Sequence, residues 1–331
     1  MLQREIQLLT WLQQACGLTH FTLTVASEDA SFRRYFRIHR PGHPNLIVMD
    51  APPAHEDCTP FVAMTARLQA TGVHVPRIIA QDLTQGFLLL EDFGEQVYLD
   101  QLTDQNADVL YGAAIQALIR FQVAGATQGL ATYSAELLQQ EMQLFIDWFV
   151  QRYLGLILSK SEYQMIQACF TLLTHNAMQQ PQVLVHRDYH ARNLLVYDDH
   201  TPGIIDYQDA VLGPITYDLV SLLRDSYISW PAYRVDTWVD HYTDQAIAQG
   251  MLTADQRKAV PRWFDLMGVQ RQLKIAGIFA RLHLRDGKSG YLADIPQTLR
   301  YIVTVAQRRP ELAALAAFIQ QRASRLPALD N

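Results

Sequence analysis

The sequence predicts an α+β fold of two lobes, a small antiparallel-sheet N-lobe carrying one helix and a larger, mainly helical C-lobe. Three observations predict it. The chain has 331 residues, more than one hydrophobic core usually serves. Its first ninety residues read as short strands broken by polar turns around a single helix. From about Asp104 onward, apolar residues recur at helical spacing. A hinge falls near Glu91 to Gly94, giving an N-lobe of residues 1–93 and a C-lobe of residues 94–331.

The elements follow in order. The opening MLQREIQLLTWLQQACG interrupts its apolar residues with Gln, Arg and Glu, which makes it an amphipathic helix ending at Gly17 rather than a signal peptide. HFTLTVAS (20–27), FRRYFRIHR (32–40) and NLIVMD (45–50) read as strands, parted by the turn signals EDAS and PGHP. A helix comes next, with Thr59 placed to cap it, Pro60 in its first turn and Gly72 past its end. Pro76 releases the chain into RIIA, and GFLLLEDFG (86–94) is a buried strand running into a turn. Three long helical segments cover 106–124, 134–155 and 159–178, the last opening with Ser159 and Glu162 spaced as a capping box. QVLVH, NLLVYD and GIIDY are short strands, the latter two joined by the turn DHTPG. After Leu219 the chain is mostly helical, and Arg262 to Arg285 reads as a strongly amphipathic helix. Its apolar stripe holds Phe264, Met267, Ile275, Ile278 and Leu282, with Arg271 inside the stripe and Lys274 and Arg281 on a solvated face.

Composition narrows the class. Hydrophobic content of 49% and charged content of 18% suit a soluble globular protein. A net charge of −6 argues against a general nucleic-acid binder. No stretch approaches the roughly 18 uninterrupted apolar residues of a membrane span. Cys16, Cys58 and Cys169 are widely spaced without a CxxC pair, as expected of a reduced, cytoplasmic protein.

The densest polar cluster is VLVHRDYHARNLLVY, from Val183 to Tyr197. Asp188 follows one strand, Asn193 opens the next, and Asp206 ends GII. A hairpin can bring Asn193 to Asp206, with Asp188 projecting from the preceding loop. Oxygen donors of this kind suit Mg²⁺, which keeps phosphates and waters in its other positions. Asp188 is then left to orient and deprotonate a hydroxyl, which makes a phosphoryl-transfer site. His186 and His190 sit four apart as in a helical zinc motif, but Arg187 stands where that motif needs Glu, and strands flank both. His186 is expected to brace the loop through the backbone.

These residues carry a resemblance. HRDYHARN is similar to the catalytic loop pattern H-x-D-x-x-x-x-N, and IDYQDA to the metal-binding Asp segment, of the aminoglycoside phosphotransferase family, whose fold is protein-kinase-like. The resemblance spans nearly the whole chain. It implies ATP and Mg²⁺ as cofactors, Asp188 as catalytic base, Asn193 and Asp206 as magnesium ligands, and Asp218 as a buried brace of the catalytic loop. It also implies an adenine site on main-chain groups near Glu91 and Phe93. Within that family, DASFRRYFRI, GIIDYQDAVLGPITYDLVSLLRD and QRQLKIAGIFARL resemble the bacterial kinases that phosphorylate the anomeric C1 hydroxyl of amino sugars in peptidoglycan recycling. An amino-sugar acceptor, N-acetylmuramate or N-acetylglucosamine, is what that likeness implies. Other acceptors of the family (an aminoglycoside, choline, homoserine) stay open, as does a nucleotide-binding pseudokinase.

The sequence departs from the kinase pattern on the phosphate side. Met49 or Asp50 stands where the third strand usually carries Lys, PFVAMTARL offers no partner acid, and the first turn, SEDAS, has no glycine. Arg33 and Arg34, with main-chain N–H groups of Ala30 and Ser31, can substitute, since guanidinium binds phosphate in bidentate fashion. The alternative is that both arginines line a solvated strand face. Asp209 either helps the acceptor site or caps the next turn. Arg271 needs a partner, either a protein carboxylate or an anionic ligand.

Overall fold

Residues 2–28, 32–198 and 201–322 are described by a computed structural model. Strands β1 (Thr22–Glu28), β2 (Arg34–His39), β3 (Leu46–Asp50), β4 (Ile78–Asp82) and β5 (Phe87–Glu91) pair antiparallel in the order β1-β2-β3-β5-β4. Side chains alternate across this sheet. Ile38, Leu46, Val48, Phe87 and Leu89 pack on Leu8, Trp11 and Leu12 of the N-terminal segment, which is α1 (Leu2–Thr10) and the π-helical turn after it. Met49, Leu88 and Leu90 turn to the opposite face and meet Phe61, Met64 and Leu68 of α2 (Thr59–Gln69). The two candidates for the missing lysine therefore point opposite ways. Two details differ from expectation. The chain after Arg77 forms β4, and α2 starts at Thr59 itself, with Cys58 at the N-cap position making no side-chain cap bond and the Asp57 carboxylate accepting the Thr59 N–H at 2.8 Å.

After β5 the chain crosses to the second lobe and enters the short α3 (Tyr98–Gln101), then α4 (Ala107–Ala124). The segment expected as one helix is α5 (Ala135–Leu144) followed by a π-helical stretch, Phe145–Tyr153. Ser159 and Glu162 form the expected capping box on α6 (Lys160–Met178). β6 (Gln182–Val185) pairs with β9 (Val211–Pro214), a strand the sequence did not announce, and β7 (Leu194–Val196) pairs with β8 (Pro202–Ile204). Helices α7 (Tyr217–Leu223), α8 (Ala232–Ala248), α9 (Val260–Asp286), α10 (Ile295–Arg308) and α11 (Ala313–Arg322) complete the lobe.

The reading of α9 needs correction. It is buried on nearly every side from Val260 to Ala280, so Lys274 is interior rather than solvated, alongside Gln270, Arg271 and Gln272. Arg281 is half-buried. The cause is position, because α5, α6, α7 and α10 all pack on α9. Gly277 permits one of these approaches, since a Cβ there would lie 2.3 Å from the Leu144 carbonyl carbon.

One apolar cluster runs unbroken from Met49, Phe61 and Met64 of the first lobe to Tyr111, Ile204 and Tyr207 of the second. At the seam the Phe61 and Tyr207 rings stack at 5.1 Å, and Thr65 Oγ1 lies 2.9 Å from the Tyr207 hydroxyl. None of the described helices is long and apolar enough to cross a membrane.

Candidate active site

The catalytic loop hangs between β6 and β7 and is held from three directions. Asp218, in the first turn of α7, accepts the main-chain N–H of His186 at 2.7 Å and of Arg187 at 3.0 Å. Those bonds hold Arg187 in the left-handed region at φ +80°, a conformation a side chain rarely adopts unless its surroundings fix it. Burial raises the Asp218 pKa to about 7, against the pull of the two N–H donors. His186 supplies the second hold. Its Nδ1 accepts the Asp188 N–H at 3.2 Å and its Nε2 lies 3.0 Å from the Ile205 carbonyl. Burial lowers the ring pKa to about 4, so it is neutral, and the two bonds fix the Nε2–H tautomer. The expected bracing role is what the ring performs. Asp225, just past α7, is the third hold, accepting N–H from Ala191 at 3.1 Å and from Tyr227 at 3.2 Å.

Asn193 and Asp206 come together against the main chain of Asp188. The β7–β8 hairpin sets Leu194 opposite Ile204, which brings Asn193 beside Asp206. Asn193 Nδ2 lies 2.9 Å from the Asp188 carbonyl oxygen and 3.3 Å from Asp206 Oδ2, while Gln208 Nε2 lies 2.9 Å from Asp206 Oδ1. Asp206 is left-handed at φ +65°. With the Asn193 nitrogen turned to the loop, its Oδ1 and the Asp206 carboxylate remain as hard oxygen donors. Among the described residues no cluster of three or more His, Cys, Asp or Glu side chains forms a protein-only metal cage. Two such oxygen donors fit Mg²⁺, which takes the rest of its shell from phosphate and water.

Charge is concentrated behind Asp188. Burial works against its ionised form, but Lys274, His190, Arg271 and His186 hold its pKa below the usual carboxylate range. Lys274, 7% exposed, places Nζ 3.1 Å from Glu141 Oε1 and 3.1 Å from the Tyr217 hydroxyl. Burial disfavours its ammonium, yet Tyr217, Glu141 and Asp188 raise its pKa. Glu141, also 7% exposed, accepts from Arg187 Nη2 at 2.7 Å and from the Tyr133 hydroxyl. Glu141 and Asp225 were not singled out from sequence, and Lys274 was read as solvated. A signal for Glu141 existed: it stands between Leu138 and Phe145, three and four residues away, on the buried stripe of α5.

The nucleotide-side residues divide. Ala30 and Ser31 lie outside the described residues. Arg34 projects from the sheet face opposite the cleft, where Nε binds the fully buried Asp50 at 3.1 Å and Arg4 joins the same carboxylate at 2.7 Å. Its register opposite Asp50 in β3 fixes that direction. Arg33 is on the other side, 3.2 Å from Glu56 and within the fields of Tyr35 and Asp209. Asp209 is exposed, with Gln208 Nε2 at 3.4 Å from its carboxylate. Glu91 ends β5 and ties its carboxylate to Arg77 at 3.0 Å and to the Tyr197 hydroxyl at 3.3 Å. Phe93 packs on Tyr197 with ring centroids 4.6 Å apart, and a Cβ on Gly203 would strike its ring at 2.5 Å. Arg37 of β2 binds Asp92 at 2.6 Å, the Gly94 carbonyl at 2.8 Å, and Glu95, pinning the hinge.

A family model described as "Phosphotransferase enzyme family" matches residues 22–256. The chain belongs to that family. An N-acetylmuramate/N-acetylglucosamine kinase of Pseudomonas putida is 49% identical over 300 residues, covering 91% of this chain and 88% of the relative. A kinase of the same name from Neisseria meningitidis is 39% identical over 322 residues, covering 96% of each. Among solved structures, a choline/ethanolamine kinase family protein from Mesorhizobium loti aligns with a TM-score of 0.65 at 13% identity, covering 95% of this chain and 99% of its own. An ADP-bound aminoglycoside phosphotransferase aligns with a TM-score of 0.60 at 13% identity, covering 89% and 97%. The fold is thus the two-lobed, kinase-like one, and the phosphotransferase is an enzyme of the kinase type.

Proposed function

We propose that this chain transfers the γ-phosphoryl group of ATP to the anomeric C1 hydroxyl of N-acetylmuramate or N-acetylglucosamine. The meeting of Asn193 and Asp206 against the main chain of Asp188 supports phosphoryl transfer, and the names of the relatives supply the acceptor class. One observation favours that acceptor over the family's cationic ones. Lys274 and Arg271 are the buried cations acting on Asp188, and they disfavour a polycationic aminoglycoside or a choline headgroup.

In this reading adenine lies against main-chain groups of Glu91 and Phe93, over the floor formed where Phe93 meets the β8 glycine. Arg33, on the cleft side, is the cation assigned to the phosphates. Arg34 is committed to Asp50 and is not. Asn193 Oδ1 and the Asp206 carboxylate would hold Mg²⁺, whose contribution is to neutralise charge on the phosphate oxygens. Asp188 accepts a hydrogen bond from the C1 hydroxyl and takes its proton as the O1–Pγ bond forms and the bond from Pγ to the β-phosphate oxygen breaks, releasing ADP. Asp218, His186 and Asp225 keep the Asp188 backbone from drifting, so most of the acceleration comes from positioning.

The test is ³¹P NMR of the product from each sugar with ATP. A sugar 1-phosphate shows its phosphorus coupled to the anomeric proton. Product phosphorylated at another hydroxyl, or turnover only with choline or an aminoglycoside, would sink the assignment. A nucleotide-binding protein without catalysis would give no product with any acceptor.

A further inference from the structure

Arg271 acts on Asp188 and forms no salt bridge among the described residues. It is 4% exposed, on the buried stretch of α9, and its Nη1 has no hydrogen-bond partner among the described residues. Its neighbours are ion-paired. Lys274, one turn further on, is held by Glu141 and Tyr217, and Arg187 is held by the same Glu141. Asp188, Asp218 and Tyr227 lie within the electrostatic reach of Arg271. Asp218 spends both carboxylate oxygens on the His186 and Arg187 N–H groups, and Asp188 has to face the acceptor hydroxyl. A buried guanidinium with no ion-pair partner is costly, and an anion arriving beside it relieves that cost.

We infer that Arg271 is a specificity-determining residue that binds a carboxylate carried by the acceptor sugar beside the hydroxyl to be phosphorylated. N-acetylmuramate carries such a group on its lactyl ether, and N-acetylglucosamine lacks it. The inference rests on the amino-sugar reading above. Guanidinium takes a carboxylate in a planar, two-point arrangement, so both the charge and the placement of the ether arm are selected.

The experiment compares N-acetylmuramate, its methyl ester and N-acetylglucosamine on the wild-type enzyme and on Arg271→Met and Arg271→Lys, reading KM and kcat separately. The wild type is expected to prefer the free acid to the ester by about 10- to 100-fold in kcat/KM, the range of a charge-assisted hydrogen bond, mostly through KM. In Arg271→Met that preference collapses towards one, and Arg271→Lys restores part of it. The ester comparison on the wild type needs no variant to fold. Equal use of acid and ester by the wild type overturns the inference. So does a fall in kcat of the same size for all three sugars in Arg271→Met, which would put the guanidinium on the transferring phosphoryl group or in the packing. If the wild type phosphorylates none of the three sugars, it is the amino-sugar reading that fails instead.

Discussion

Asp188→Asn keeps the shape of the side chain and removes the proton acceptor. The expected result is a fall in kcat of about 10²- to 10⁴-fold, with ADP affinity by calorimetry essentially unchanged. A matching loss of nucleotide affinity would mean that Asp188 holds the nucleotide rather than the proton. Asp218 makes a prediction in pH. Its pKa is raised by burial from near 3.8 to about 7, so between those values the folded chain binds a proton the unfolded chain does not. The stability this gives is complete below the lower value and is lost as pH rises through the upper one. Asp218→Asn lacks that slope. Its stability deficit against wild type should be greatest at about pH 4 and narrow by on the order of a few kcal/mol towards about pH 8. Thermal unfolding at both ends checks it, and a constant gap would show Asp218 ionised throughout. Asp188, Asn193, Asp206 and Asp218 were legible in the sequence because the first two crowd one short loop between apolar triplets and the others stand at a family's spacing. Glu141 and Asp225 were not, and Lys274 was placed on the wrong face, since a sequence shows a charge but not the distant counter-charge that allows it to be buried.

At the scale of elements, Asp50 joins α1, β2 and β3 by receiving Arg4 and Arg34 on one fully buried carboxylate. Asp50→Ala strands both guanidiniums, and a loss of about 3–5 kcal/mol is expected in urea unfolding. A loss under about 1 kcal/mol would mark these as surface-like pairs. Gly203→Ala would drive a methyl group into the Phe93 ring, so KM for ATP should rise more than KM for the sugar. Initial-rate kinetics with each substrate varied separates the two. Most elements were readable from alternation, turn residues and the capping box of α6. β4 and β9 were not, because strands this short exist by virtue of partners far along the chain, and AVLGP carries turn residues where it pairs. α9 misled for a different reason. Its interior amides and cations weaken the apolar periodicity that normally tells inside from outside.

For the molecule as a whole, the boundary at residue 93 describes the chain's path and not its cohesion. The chain leaves the sheet at Glu91, yet the apolar cluster continues through α2 to Tyr207, so the lobes share a core. Calorimetry is expected to show one cooperative transition with matching calorimetric and van't Hoff enthalpies. A fragment of residues 1–93 should fail to fold alone, since α2 would lose the surface it covers. Two resolved transitions would contradict this. A last consequence follows from Glu141. Because this acid lies against both Arg187 and Lys274, the two cations are neutralised together inside the folded chain. Folding alone therefore sets this counter-charge, whatever the nucleotide and the acceptor later bring.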